Sequence, residues 1–354
     1  MQKGSYLQKI RIAILVEGLF LLILFMAWQP TDTGKGVAVN SGTAENIKWV
    51  DFNVTYEALC MAYDWDVRTY GEEIHVNWIE LLAYLGTKYG GDFKTHAKSL
   101  EKDMNQVANQ LIQKEITIEK LTREMKYYSY YRQAYGAVLE GMVGEYSVCV
   151  SKEEGKWEQR YGLTAYSPIA KGFEYSHFDD FGASRSYGYK RQHLGHDMMG
   201  QVGTPIIAVE SGYVEAIGWN QYGGWRVGIR SLDGKRYYYY AHLRQNYPYA
   251  QGLEEGSLVT AGDVIGYMGH TGYSATENVN NIKVTHLHWG LELVFDEERR
   301  AQGYEIWVDV YPLTQFLYKN RSEAIKVEGT KEWKRKEEIR IPSVEAEKEA
   351  QGER

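Results

Sequence analysis

The chain has 354 residues, enough for two domains with cores of their own, and its 44% hydrophobic and 25% charged residues exclude a fibrous or largely disordered protein. Its formal net charge of -7, with acids and bases interspersed, provides no basic field of the kind nucleic acid requires, so DNA and RNA are set aside as partners.

Lys3, Lys9 and Arg11 precede an apolar run from Ile12 to Trp28, broken only by Glu17 and Gly18. Positive charge ahead of such a run keeps the N-terminus cytoplasmic and sends the downstream chain across the membrane. Residues 1–30 therefore read as a signal anchor, a single transmembrane pass with an extracytoplasmic C-terminal part. Cleavage, giving a secreted protein, is the alternative; no A-x-A-like site comes after the run, and Leu19 to Trp28 is short for a span. Residues 31–46, rich in Gly, Thr, Ser and Asn, read as a flexible linker.

Over residues 47–146 apolar positions recur at helical spacing, as in Leu100, Met104, Val107 and Leu111, then Tyr131, Tyr135, Val138 and Met142. Asn77, with Glu80 three residues on, predicts the start of a helix over Trp78 to Tyr89, and Gly90-Gly91 predicts its end. The pattern predicts an all-helical domain, a spacer, a regulator or a surface for a protein partner. Its charged positions, such as Glu101, Lys102 and Glu119, read as solvated helix faces. From Ser147 the period becomes two, with turn residues at short intervals. Residues 147–170 read as a connecting segment and 171–321 as a mostly antiparallel β-sheet domain. The fold class is thus multidomain α+β. Residues 322–354, dense in charge, predict a disordered or loosely attached tail. Cys60 and Cys149 fit no metal spacing; they either pair or remain buried thiols.

Six of the nine histidines fall between His193 and His288. In a strand-like reading of His193-Leu194-Gly195-His196-Asp197, His193 and Asp197 share one face and His196 takes the other. In His286-Leu287-His288 both imidazoles face one side while Leu287 turns to the core. His242 ends a probable strand that contains Tyr237 to Tyr240. Three segments thus offer five convergent candidates, where catalytic zinc takes three ligands from His and carboxylate and keeps a fourth position for water. The surplus histidines suit proton transfer and oxyanion stabilisation.

The stretches F-G-A-S-R-S-Y-G-Y-K-R-Q-H-L-G-H-D, G-T-P-I-I-A-V-E-S-G-Y-V, Y-Y-A-H-L, G-D-V-I-G-Y-M-G-H-T-G-Y-S and H-L-H-W-G resemble the LytM/lysostaphin-type (M23) peptidoglycan endopeptidases. The resemblance implies that His193, Asp197 and His288 bind one Zn2+ and that His242 and His286 form the catalytic pair. It further implies that Tyr187 or Tyr189 is the groove tyrosine that donates to the oxyanion. The expectation is a membrane-anchored metalloendopeptidase acting on stem or cross-bridge peptides of peptidoglycan in cell-wall remodelling. A non-catalytic scaffold in a division or sporulation complex is the alternative. Two features depart from the family pattern: S-A-T-E-N-V-N-N-I-K-V-T stands where a short S-x-G-P turn is usual, and the helical domain resembles no catalytic or wall-binding module recognisable from its sequence. His196 and His270 fall outside the ligand set, and His75, His96 and His177 outside the motifs.

Overall fold

The computed structural model describes residues 50–352, apart from Gly188 and the side chains of Tyr187, Tyr189 and Lys190. The anchor expected over residues 1–30 and the linker expected over 31–46 lie outside the described residues. Among the described residues no helix is long and apolar enough to cross a membrane.

Among the described residues five helices come first: α1 (Tyr56–Thr69), α2 (Trp78–Tyr89), α3 (Ala97–Ile112), α4 (Ile118–Thr122) and α5 (Tyr128–Leu139). Helix α2 shows how local sequence sets the boundaries. The Asn77 side chain accepts hydrogen bonds from the amides of Ile79 and Glu80 at 3.0 and 3.1 Å, and Gly90 stops the helix in the left-handed conformation, φ 61°. Leu100, Met104 and Val107 of α3 are buried, as their spacing predicts.

The strands come next: β1 (Val143–Ser151), β2 (Lys156–Leu163), β3 (Ser176–His177), β4 (Ser184–Tyr187), β5 (Tyr189–Gln192), β6 (His196–Met199), β7 (Pro205–Ile207), β8 (Gly212–Asn220), β9 (Gly224–Ser231), β10 (Arg236–Ala241), β11 (Leu258–Val259), β12 (Val264–Tyr267) and β13 (His286–Leu293). The chain ends with α6 (Glu297–Ala301), β14 (Ile306–Val308), α7 (Tyr311–Leu317), β15 (Ala324–Lys326), β16 (Trp333–Arg335), β17 (Ile339–Arg340) and α8 (Pro342–Gln351). The central antiparallel sheet has the order β11-β8-β9-β10-β13-β6-β3, and β14 also pairs with β13. Alternation along β10 turns Tyr238 and Tyr240 into the core. There the Tyr238 hydroxyl donates to Glu210 at 2.6 Å and the Tyr240 oxygen accepts from the Val209 amide at 2.9 Å.

Two findings differ from the sequence reading. First, the helices and the sheet share one hydrophobic core. Trp78 of α2 stacks on Phe316 of α7 at 5.8 Å, and Tyr63 of α1 meets the same ring edge-on at 5.6 Å. Polar ties cross the same boundary. The Tyr161 hydroxyl donates to Asp66 at 2.7 Å, and the buried Arg236 guanidinium, held by Glu210, donates to the Ala137 carbonyl at 3.2 Å. Second, the expected loose tail over 322–354 is ordered across its described residues. Strand β17 extends β1, and Ile339, Ile341 and Val344 enter a second core with Tyr166, Ile207 and Tyr267. Charge density conceals this because only a few apolar residues are needed when each falls on the inward face. Arg335 also pairs with Asp263 at 3.2 Å.

Candidate metal centre

Strand pairing assembles the site. In β6 the burial alternates, so Asp197 faces the groove while His196 and Met198 point behind the sheet. Across the ladder Asp197 lies opposite His288 of β13, and His288 in turn lies opposite Ala241, the last residue of β10. His286 shares the groove face with His288, and Leu287 between them is fully buried. His242 comes immediately after β10, with a left-handed backbone, φ 63°. His193 arrives differently from the strand-like reading: β6 starts only at His196, and His193 reaches Asp197 from the loop after β5.

Three donor atoms converge. His193 Nε2 lies 3.0 Å from Asp197 Oδ1 and 3.0 Å from His288 Nδ1, and the last two are 2.9 Å apart. Tetrahedral zinc with ligand distances of about 2.0 to 2.2 Å would space its ligands by roughly 3.3 Å, close to this triangle. The chemistry of the donors points the same way. His193 Nδ1 donates to the Asp180 carbonyl at 3.3 Å and lies 3.1 Å from a carboxylate oxygen of the same residue, which makes Nδ1 the protonated nitrogen and turns Nε2 towards Asp197 and His288. Atoms so close call for positive charge between them, a metal ion or, in its place, protons on the two rings. Burial alone would raise the Asp197 pKa, but hydrogen bonds from His193 and His288 hold it well below the usual carboxylate range. Burial disfavours a charged His193 ring, yet Asp197 and Asp180 outweigh it and raise the pKa.

The other two histidines have a common arrangement. His242 Nδ1 donates to the Thr271 carbonyl at 3.0 Å, and His286 Nδ1 donates to the Val284 carbonyl at 2.8 Å. Each ring is thereby fixed in the tautomer that leaves Nε2 as an acceptor. The rings lie 4.7 Å apart, and His286 Nε2 is 3.7 Å from Asp197 Oδ1. Burial, and next the neighbouring His286 and His288, push the His242 pKa well down.

Tyr187 and Tyr189 face each other across the β4–β5 hairpin, but their side chains lie outside the described residues. His196 is buried behind the sheet, where its Nε2 shares a hydrogen bond with His177 Nδ1 at 2.8 Å. Burial, and next the His177 ring, lower its pKa to about 3. His270 bonds to the Ile282 carbonyl at 2.9 Å and steadies the 273–285 loop. Cys60 and Cys149 are free thiols.

Sequence reasoning missed Asp180 and Arg185. Arg185 contacts Asp180 and stands 3.7 Å from the outer oxygen of Asp197. Neither has a metal-binding spacing; the one signal was their place just before H-x3-D. Gly195 was also missed: a Cβ there would lie 2.5 Å from His288 Cε1, so only glycine leaves room for the ligand ring.

Residues 191–301 match the model of peptidase family M23. Over 124 residues the chain is 36% identical to the L-Ala--D-Glu endopeptidase of Bacillus subtilis (strain 168), an alignment covering 35% of this chain and 36% of that protein. Over 89 residues it is 35% identical to lysostaphin of Staphylococcus simulans, covering 25% of this chain and 17% of lysostaphin. The chain thus spans little more than a third of the first relative's length. A crystal structure from Ruminococcus gnavus ATCC 29149, of a candidate glycyl-glycine endopeptidase lytM, superposes with a TM-score of 0.50 at 24% identity. It covers 78% of this chain and 94% of that one, a likeness of fold. From the matched residues and the His/Asp/His triangle together, this chain carries a domain of peptidase family M23, a family of zinc peptidases.

Proposed function

We propose that the protein is a membrane-attached, extracytoplasmic zinc metalloendopeptidase that cleaves a peptide bond in the stem or cross-bridge of peptidoglycan, with one zinc ion per chain. The observation that carries the reading is the pair of histidines, His242 and His286, whose Nδ1 atoms are pinned by carbonyls beside the three-donor triangle. A closed structural site would have no use for them. The names of the similar proteins, an L-Ala--D-Glu endopeptidase and lysostaphin, support the substrate class. The basic flank and apolar run at the N-terminus support the membrane attachment.

His193 Nε2, Asp197 Oδ1 and His288 Nδ1 would hold the metal. Bound there, zinc would supply Lewis acidity, lowering the pKa of a water molecule and polarising the scissile carbonyl. His286, whose Nε2 is 3.7 Å from Asp197 Oδ1, takes the proton from the attacking water and returns it to the leaving amine. His242, whose Nε2 is likewise a lone-pair acceptor in this tautomer, lies 4.7 Å ring to ring from His286 as a second proton acceptor, and only with a proton on Nε2 would it donate to the oxygen that gains charge. Asp180 keeps His193 in the ligating tautomer, and Arg185 steadies both carboxylates.

The test is metal content together with mass spectrometry of muropeptides after digestion of purified cell walls. Wild-type protein should release new amines and lose that activity to a chelator. Asp197→Ala and His288→Ala should lose both the metal and hydrolysis. Undiminished hydrolysis by either variant would overturn the mechanism.

A further inference from the structure

The groove face of the sheet carries two arginines that no carboxylate satisfies. Register places Arg226 of β9 on the same face as Gly228, Tyr239, Ala241 and His288, because Gly228 pairs with Tyr239 and Ala241 with His288. Arg226 thus belongs to the groove floor. Arg191, at the end of the β4–β5 hairpin, approaches the same region. It contacts the Tyr273 hydroxyl, and its guanidinium lies 5.1 Å from the Tyr273 ring centre and 5.6 Å from that of Tyr222. Tyr273 meets the His242 ring at 5.9 Å, and Tyr239 meets the His288 ring at 6.0 Å. The phenol of Tyr239 registers both cations: burial raises its pKa, while the Asn220 hydrogen bond and the charges of Arg226 and Arg191 oppose the rise.

Three other arginines of the sheet region are paired with carboxylates, whereas Arg244, outside the groove floor, also leaves a buried nitrogen without a partner. Arg230, four residues along β9, holds Glu215 and Glu297; Arg236 holds Glu210 and Asp233; Arg300 holds Glu292 and Glu215. Among the described residues Arg191 and Arg226 have no carboxylate within ion-pair distance, and each buries a nitrogen without a hydrogen-bond partner, Nε in Arg191 and Nη1 in Arg226. Both side chains are half-buried. An N–H withdrawn from water and left unpaired is costly, and a guanidinium is built to receive a planar anion.

We infer that Arg226 and Arg191 form a carboxylate subsite of the groove, which selects peptides bearing a free carboxylate beside the scissile bond over uncharged ones such as oligoglycine. This inference rests on the peptidase reading above and adds to it the charge of the preferred substrate.

The probes, all with amidated C-termini, are a peptide L-Ala–γ-D-Glu–L-Lys with the D-Glu α-carboxylate free, the same peptide with that group as carboxamide, and pentaglycine. Binding is read by calorimetry on the full chain under chelator, where no turnover occurs, and hydrolysis is read on the zinc-loaded chain. Wild type should bind the acid about tenfold or more tightly than the amide, as expected for a hydrogen bond to a charged group. Arg226→Gln and Arg191→Gln should each reduce that ratio towards one by weakening acid binding more than amide binding, and Arg226→Lys should restore part of it. Equal binding of acid and amide by wild type would overturn the subsite, as would variants that weaken both ligands alike. If the acid preference holds but no peptide and no wall preparation is cleaved, the subsite stands and the peptidase reading falls. Cleavage with no acid preference removes the subsite and leaves the peptidase reading standing.

Discussion

His242 pays for its position with backbone strain: a left-handed φ of 63° in a residue with a β-carbon costs on the order of 1 kcal/mol or more. The surroundings impose it. The His242 amide donates to the Gly223 carbonyl at 2.7 Å, its carbonyl accepts from the Gly269 amide at 3.0 Å, and its ring is anchored to Thr271. Such over-determination is expected of a group that must hold one orientation, and it separates proton transfer from metal binding. His242→Ala and His286→Ala should keep one zinc per chain, measured by elemental analysis, and lower kcat by roughly 10²- to 10⁴-fold. Loss of zinc from either would assign that residue to the metal instead. Gly195→Ala should act on the ligand itself. Its new methyl would press on His288, and metal affinity measured by chelator competition should fall by about tenfold or more, as when an orienting partner is removed. That His193, Asp197, His242, His286 and His288 come together was legible because H-x3-D, Y-Y-A-H and H-x-H leave a trace in spacing. Asp180, Arg185, Arg191 and Arg226 were not, since their roles depend on which hairpin or strand folds over which, and spacing along the chain does not record that.

Among the elements, the C-terminal extension departs most from what its composition suggests. Val344 of α8 is fully buried beside Ile339 and Ile341, so Val344→Ala should destabilise the protein by about 1 to 3 kcal/mol in chemical denaturation. A loose tail would show no change. Glu323 ties this extension to the β domain through Lys171 at 2.6 Å and also pairs within the extension with Lys336 at 2.7 Å. Hydrogen bonds to Lys171 and then Lys336, and after them the charges of both, lower its pKa from 4.5 to about 2. A depressed acid contributes stability above its unfolded pKa and loses it as pH falls through the folded one. The melting temperature of wild type should therefore exceed that of Glu323→Gln slightly near neutral pH. The gap should narrow as pH falls below about 4.5 and shrink in high salt, since the pair is exposed. A gap that widened on acidification would contradict this sign. Helix α2 was readable from Asn77 and Gly90 because caps act locally. The path of β17 was not, because joining β1 is a contact across nearly two hundred residues.

At the scale of the whole molecule, the shared core makes a thermodynamic claim. Helices and sheet should unfold in one calorimetric transition, and zinc should raise its midpoint by binding the native state alone. Two transitions, with only the later one responding to metal, would show separable domains. Helical periodicity revealed that Trp78 lies on an apolar face, but not that Phe316, more than two hundred residues on, would cover it. That stacking has a practical corollary for anyone dissecting the chain. Cutting after residue 146 would bare Trp78 and Tyr63 on one fragment and Phe316 on the other, two sticky wounds in place of one interior. A minimal soluble fragment carrying the M23-like region would have to keep the helices, or replace the aromatic seam with polar residues before the cut is made.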